Sequence, residues 1–170
     1  MNIVSAIIGL IVVAAFILPF MLSGKSRKKN EKRLLASLQS LADKQNAPIG
    51  EHDFGTNFAI GVSKDGQHLF FTKGEEGKEV GKHLPLEQIQ RCKSNTATHM
   101  VEVGKSKESV IDRLELVYQF KDNKQPDHIW ILYNAADNTQ LNDEIEVMRR
   151  WEKRLAIVLR DNKAQVKVAV

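Results

Sequence analysis

The chain has 170 residues, a formal net charge of +4 at neutral pH and one cysteine, Cys92. A single cysteine excludes a disulfide within the chain. The positive charge is concentrated between positions 25 and 33, where six basic residues outweigh one acid, and the remainder of the chain is close to neutral. This distribution lacks the broad basic face of a nucleic-acid-binding protein, and we therefore predict no nucleic-acid partner.

The first predicted element is an apolar segment over residues 3–22, which contains no charged side chain. A helix of about 20 apolar residues matches the ~30 Å hydrocarbon core of a bilayer. The alternative is a cleaved signal peptide, but the segment lacks a basic start and a small-residue cleavage site. The sequence therefore predicts an uncleaved transmembrane anchor over 1–24, with the lipid bilayer as a partner through 3–22.

A cluster of basic side chains directly follows the predicted anchor. Basic residues close to a membrane span remain cytoplasmic, so the pattern predicts a single-pass protein of the inner (cytoplasmic) membrane with its N-terminus outside. The same charges would attract anionic lipid headgroups, although a topology signal alone also explains them. The predicted membrane-surface residues are Lys25, Arg27, Lys28, Lys29, Lys32 and Arg33.

A short amphipathic helix is predicted from Glu31 to about Gln45. Leu34, Leu38 and Leu41 recur at helical spacing, and Pro48 lies just beyond the end of the pattern. A stripe of only about two heptads favours packing on the following domain over a coiled coil. Residues 25–47 are therefore interpreted as a basic juxtamembrane linker and helix.

A series of strands is predicted over the next part of the chain. Asp65-Gly66 lies between two apolar segments, which predicts a β-hairpin with positive φ at both central residues. Further strands are predicted over 80–84, 86–93, 97–103, 113–121 and 128–133, with a polar loop over 104–109.

The last predicted element is an amphipathic helix near residues 140–160. Apolar residues that include Ile145, Met148 and Trp151 recur at helical spacing, and charged residues occupy the opposite face. We expect the Trp151 side to lie on the sheet. Residues 161–170 form a tail to which the pattern assigns no structure.

The order of these elements predicts an α+β fold. Six or seven antiparallel strands followed by one helix resemble pleckstrin-homology-like (PH-like) domains. The resemblance implies that residues 48–160 form a β-barrel of two sheets capped by the C-terminal amphipathic helix. A generic α+β sheet with a helix on one face is the alternative.

Five short segments and a later tryptophan occur in a characteristic order: 59–61, 69–71, 111–117, 133–134 and 140–141, followed by Trp151. In this order they resemble a family of uncharacterised bacterial single-pass membrane-anchored proteins with a PH-like cytoplasmic domain. The resemblance extends over nearly the whole chain, and the order of the segments carries it. No activity is assigned to that family, so the resemblance implies no catalytic residue.

Motifs for catalysis or metal binding do not emerge from the sequence. The five histidines do not pair at metal-ligand spacing, and no Gly-x-Ser-x-Gly sequence is present. The glycines at 74, 77 and 81 lack the ending of a phosphate-binding loop and are interpreted as turn residues. We expect no cofactor, no metal and no catalytic residue.

Residues interpreted as core are Cys92, Trp130 and Tyr133.

The function predicted from the sequence is a membrane-tethered cytoplasmic binding or scaffold module, not an enzyme, with a protein partner of unknown identity. One alternative is an accessory subunit of a larger membrane complex. The other is a membrane-bound enzyme whose site is assembled from dispersed polar residues. Fold resemblance alone does not decide between these functions.

Overall fold

The described parts of the computed structural model are residues 27–75, 78–104, 106–137 and 140–168. Helix α1 (27–44) comes first and helix α2 (Glu144–Val168) comes last, and seven strands lie between them. The strands are β1 (Ile49–Phe54), β2 (Phe58–Ser63), β3 (His68–Glu75), β4 (Lys78–Pro85), β5 (Ile89–Val103), β6 (Ser106–Phe120) and β7 (His128–Asn134).

The strands form two antiparallel sheets. Sheet A has the order β1-β2-β3-β4, and sheet B has the order β5-β6-β7. Among the described strands, no ladder joins one sheet to the other, so the predicted PH-like barrel is wrong. Pro85 is the last residue of β4, and a single 3-10 turn at Leu86–Gln88 connects it to β5.

The predicted transmembrane anchor at residues 3–22 lies outside the described residues. Within the described ranges, no helix is both long and apolar enough to cross a membrane. Helix α2 has 25 residues, but charged side chains cover one of its faces. On this finding the predicted single-pass topology and inner-membrane location are corrected.

The main hydrophobic core lies between the inner faces of the two sheets and α2. Phe71 of sheet A stacks on Trp130 of sheet B with ring centroids 5.1 Å apart. Tyr118 meets the same indole edge-on at 4.7 Å. Trp151 of α2 is 1% exposed and donates its indole N–H to Asp53 at 3.0 Å. The predicted orientation of the final helix, with Trp151 toward the sheets, is confirmed.

Helix α1 covers the outer face of sheet A. Leu34 and Leu38 are fully buried and form a second cluster with Ala59 and Phe70. Because one face of sheet A packs on α1 and the other on the main core, all six residues of β2 are buried. The prediction that this helix packs on the following domain is confirmed.

The connection between β2 and β3 is a hairpin, as predicted, but its turn is of a different kind. Gly66 has a φ of +70°, whereas Asp65 does not lie in the positive-φ region. The Asp65 carboxylate accepts the hydroxyl of Ser63 and the N–H of Gln67, the latter at 3.0 Å. These bonds, the one from Ser63 above all, lower the pKa of Asp65. They stabilise a four-residue connection between Ser63 and His68 in place of a two-residue turn.

Gly55, immediately after β1, tests how tightly the core is packed. A Cβ at this position would lie 2.1 Å from Cε1 of Phe58, whose ring is fully buried. We expect Gly55→Ala to lower the free energy of unfolding by about 1–3 kcal/mol, because the ring cannot move without strain. Urea denaturation measures this difference.

The matched control is Gly74→Ala. A Cβ there would have its nearest neighbour at 3.5 Å, an ordinary contact with the end of the Arg33 side chain. The control should leave the free energy of unfolding almost unchanged. Equal free energies for the two variants would contradict the packing described for Phe58.

Candidate binding surface

The hairpin of β5 and β6 extends beyond the rest of sheet B. Both strands have 15 residues, but β7 pairs with β6 only from Arg113 to Tyr118. Residues 98–104 and 106–111 therefore form a two-stranded extension, here called the β5–β6 ribbon. Most of its described residues are exposed. Because an isolated two-stranded ribbon is only marginally stable in water, this segment would gain stability from a further strand.

A β-bulge lies at the base of the β5–β6 ribbon. Ala97 and Thr98 are neighbours on β5, whereas their partners on β6 are two residues apart. Asp112 is therefore the extra residue, and its carboxylate lies 2.6 Å from Nδ1 of His99. Because a bulge increases the local bend and twist of its strand, we expect the ribbon to bend away from the plane of sheet B.

The outer edge of β5 is the edge that faces away from β6, and α2 contacts this edge at Ser94. The Glu152 carboxylate accepts the N–H of Ser94 at 3.0 Å and its hydroxyl at 2.7 Å. Since N–H directions alternate along an antiparallel strand, those of Thr98, Met100 and Glu102 also point outward. The bulge does not change this alternation, because its extra residue lies on β6. Among the described strands, β5 pairs with β6 alone.

The side chains of this edge are those of a strand that can accept another strand. Met100 is 62% exposed, the largest value among the described large apolar residues. Between Thr98 and Val103, Glu102 is the only Asp, Glu, Lys or Arg residue, and Pro does not occur. Proteins commonly protect exposed edges with Lys, Pro or a short strand. The ribbon part of β5 lacks these three, and only the charge of Glu102 and the bulge at the ribbon base oppose strand addition.

A polar cleft of about 570 Å³ lies between the start of α1, the β1–β2 loop and the start of α2. Glu144 is 2% exposed and accepts the N–H of Thr56 at 3.1 Å and that of Asn142 at 2.7 Å. Arg27 of α1 lies 3.4 Å from Asp143. Because these groups bind one another, they connect α1 to α2 and to the β1–β2 loop. They leave few polar groups of the cleft for a ligand.

The structure places five of the six predicted membrane-surface residues on α1, and Lys25 lies outside the described residues. Arg27 pairs with Glu31 at 3.0 Å, and Arg33 pairs with Glu79 of β4 at 2.9 Å. Exposed ion pairs of this kind contribute about 0–1 kcal/mol to stability. The other three side chains are exposed on the same helix: Lys28, Lys29 and Lys32.

Two histidines that the sequence spacing did not connect lie together on sheet A. Nδ1 of His68 is 2.9 Å from Nε2 of His83, so at least one of the rings is neutral at this contact. Burial, and secondarily His68, lowers the pKa of His83. In the β3–β4 hairpin Phe70 lies opposite His83, so His68, two residues before Phe70, is a diagonal neighbour of His83 on the same face. This register is the signal that would have predicted the pair. In the described part of the chain, no third His, Cys or carboxylate completes a metal-binding group.

The predicted core residues are confirmed as core. Cys92, Trp130 and Tyr133 are at most 9% exposed. Burial, with a smaller contribution from Glu152, raises the pKa of the Cys92 thiol to about 12. The thiol therefore stays protonated at neutral pH and is a poor nucleophile.

The interpretation of the glycines as turn residues is wrong for two of them. Gly74 lies within β3 and Gly81 within β4, whereas Gly77 lies outside the described residues. A Cβ at position 81 would lie 2.7 Å from Cδ1 of Leu41. The absence of a side chain at Gly81 thus allows α1 to approach sheet A closely.

Comparisons with models of protein families, with curated proteins and with solved structures gave no match.

The Glu144 carboxylate should make stability depend on pH. Burial opposes its ionisation, but hydrogen bonds from Thr56 and Asn142 outweigh burial and lower its pKa below the ordinary 4.5. The ionised group adds stability above the pH at which the unfolded chain titrates. This contribution is lost as the pH falls through the folded-state pKa. We expect Glu144→Gln to lower the free energy of unfolding by about 1–3 kcal/mol near neutral pH, and by less in acid.

Urea denaturation at neutral and acidic pH measures this effect, and Glu146→Gln is the matched control. Glu146 is exposed in the same helical turn, so its substitution should change little at either pH. A loss for Glu144→Gln that is the same at both pH values would contradict the assigned role of the carboxylate.

Proposed function

We propose that this chain is a protein-binding module, not an enzyme, and that it binds an extended segment of a protein partner along the outer edge of β5. The observation that carries the proposal is the unpaired ribbon edge, where Thr98, Met100 and Glu102 direct backbone groups away from β6. A partner strand added to such an edge gains main-chain hydrogen bonds irrespective of its sequence.

The side chains beside the edge provide the selectivity. Met100 and Thr98 lie on one face of the β5–β6 ribbon, and Val101 and His99 lie on the other, because side chains alternate along a strand. Val101 is half-buried, so a β-branched or aromatic residue beside it would pack well. The flexible Met100 side chain can adapt to different neighbours. We therefore expect partner segments with apolar residues on the Val101 face.

The base of the β5–β6 ribbon is rigid enough to hold a partner in place. Leu114 and Leu116 of β6 are fully buried in the main core. Glu152 binds Ser94 at the point where the open edge begins. A partner strand would convert a two-stranded ribbon into a three-stranded sheet, which is a more stable arrangement.

The arrangement of polar groups supports binding over catalysis. The carboxylates of Glu31 and Asp143 at the cleft both pair with Arg27. The Cys92 thiol is buried and its pKa is raised to about 12. Neither these carboxylates nor this thiol is an activated nucleophile beside a base, which is the arrangement that covalent catalysis requires.

Selection from a phage library of short random peptides on the full-length chain tests this function. Met100→Pro removes the outward N–H while leaving the β5–β6 ladder intact, because Pro is tolerated where the N–H faces solvent. Selected peptides should bind this variant at least about tenfold more weakly, a loss of roughly 1.4 kcal/mol.

The matched control is Met100→Leu, which keeps the N–H and an apolar side chain and should bind the peptides like the natural chain. Circular dichroism and urea denaturation establish that both variants are folded. Equal peptide affinity for the Met100→Pro variant and the natural chain, or no peptide enriched on the natural chain, would contradict the proposal.

A further inference from the structure

We infer that a second copy of this chain is an occupant of the β5 edge, so that two β5–β6 ribbons pair antiparallel in a two-fold symmetric dimer. The inference rests on the proposed function, since it requires the same strand-accepting edge, and it adds the identity of a partner. Two joined ribbons form a four-stranded sheet in which each copy supplies the strand that the other lacks.

The backbone of β5 defines how two copies would pair. A two-fold axis perpendicular to the ribbon keeps each side chain on its own face and pairs outward residues with outward residues. An axis through Met100 places Met100 of one copy opposite Met100 of the other. Thr98 then faces Glu102, and Glu102 faces Thr98. All three outward residues of each strand exchange hydrogen bonds in this register.

The charges on the edge favour this register over its neighbours. Glu102, the only Asp, Glu, Lys or Arg residue from 98 to 103, faces Thr98, whose hydroxyl can donate to the carboxylate. An axis through Val101 would place Glu102 opposite Met100. An axis through Glu102 would place two carboxylates opposite each other, which is destabilising.

Registers closer to the base are also disfavoured. An axis through His99 would place two imidazoles opposite each other. An axis through Thr98 would bring the second copy to Ser94, whose N–H is already bound by Glu152. The edge is therefore self-complementary around Met100. At Ser94 its N–H is bound by Glu152 of α2, so a second strand cannot bind there.

Side-chain burial adds to the hydrogen bonds. The Met100 side chain, 62% exposed in one copy, would pack against its equivalent on one face of the joined sheet. On the other face Val101 would lie beside His99 of the second copy. Flexible thioethers pack well against one another in such contacts.

Sedimentation equilibrium of the full-length chain over a wide concentration range tests for the dimer. The expected limits are the mass of the 19.2 kDa chain and twice that mass. Met100→Pro should weaken dimerisation at least about tenfold, since it removes the central outward N–H, whereas Met100→Leu should dimerise like the natural chain.

Disulfide trapping tests the register. In a hydrogen-bonded antiparallel pair the two Cα atoms lie about 5.5 Å apart, within the range of a disulfide. Under mild oxidation, Met100→Cys should form a cross-linked dimer, and the buried Cys92 should not. Thr98→Cys is the matched control, because the two introduced thiols would be displaced by four residues, about 13 Å along the strand.

Each outcome decides between the inference and the proposed function. Efficient cross-linking of the Met100→Cys variant, without cross-linking of the Thr98→Cys variant, supports the dimer. A dimer that does not cross-link through the Met100→Cys variant, or that Met100→Pro leaves intact, overturns the inference. A chain that stays monomeric, while selected peptides still require the Met100 N–H, overturns the dimer and leaves the proposed function standing.

Discussion

The packing of three aromatic side chains between the two sheets is the interaction on which the fold depends. Trp130 of β7 stacks on Phe71 of β3 and meets Tyr118 of β6 edge-on. Each of these side chains is at most 1% exposed. Large aromatic side chains bury about 150–250 Å² each. This contact therefore joins sheet A to sheet B where no described ladder does, and Trp151 adds α2 to the same core.

The position of that core determines where the β5–β6 ribbon begins. The inward residues of β6 are fully buried from Leu114 to Tyr118, whereas Ile111 is only partly buried. From Ile111 toward the turn, β5 and β6 continue past the end of the pairing between β6 and β7. Glu152 satisfies the β5 edge at Ser94, and the ribbon edge beyond it is open. Core and binding surface are thus two parts of the same strand pair.

The sequence predicts correctly the elements whose apolar residues face a core. Its predictions are wrong for segments whose residues face solvent. The apolar spacing around Trp151 located α2, although the helix runs on to Val168 through most of the predicted tail. The sequence predicts two strands in place of the single strand β5 and a polar loop over 104–109, because the residues of the ribbon face solvent and show no apolar alternation. The predicted barrel is wrong because the sequence of a strand does not indicate whether two sheets are joined by a hydrogen-bonded ladder or only by side-chain packing. The open edge has a sequence signal only in retrospect, in the absence of Lys and Pro from 98 to 103.

Residue-resolved amide hydrogen exchange along β5 tests most directly whether its outer edge is open within one chain and filled by another strand. In dilute full-length chain, the N–H groups of Thr98, Met100 and Glu102 should exchange faster than those of His99 and Val101, which bond to β6. Raising the protein concentration should slow the first set and leave the second unchanged. Equal protection of both sets at every concentration would contradict the account.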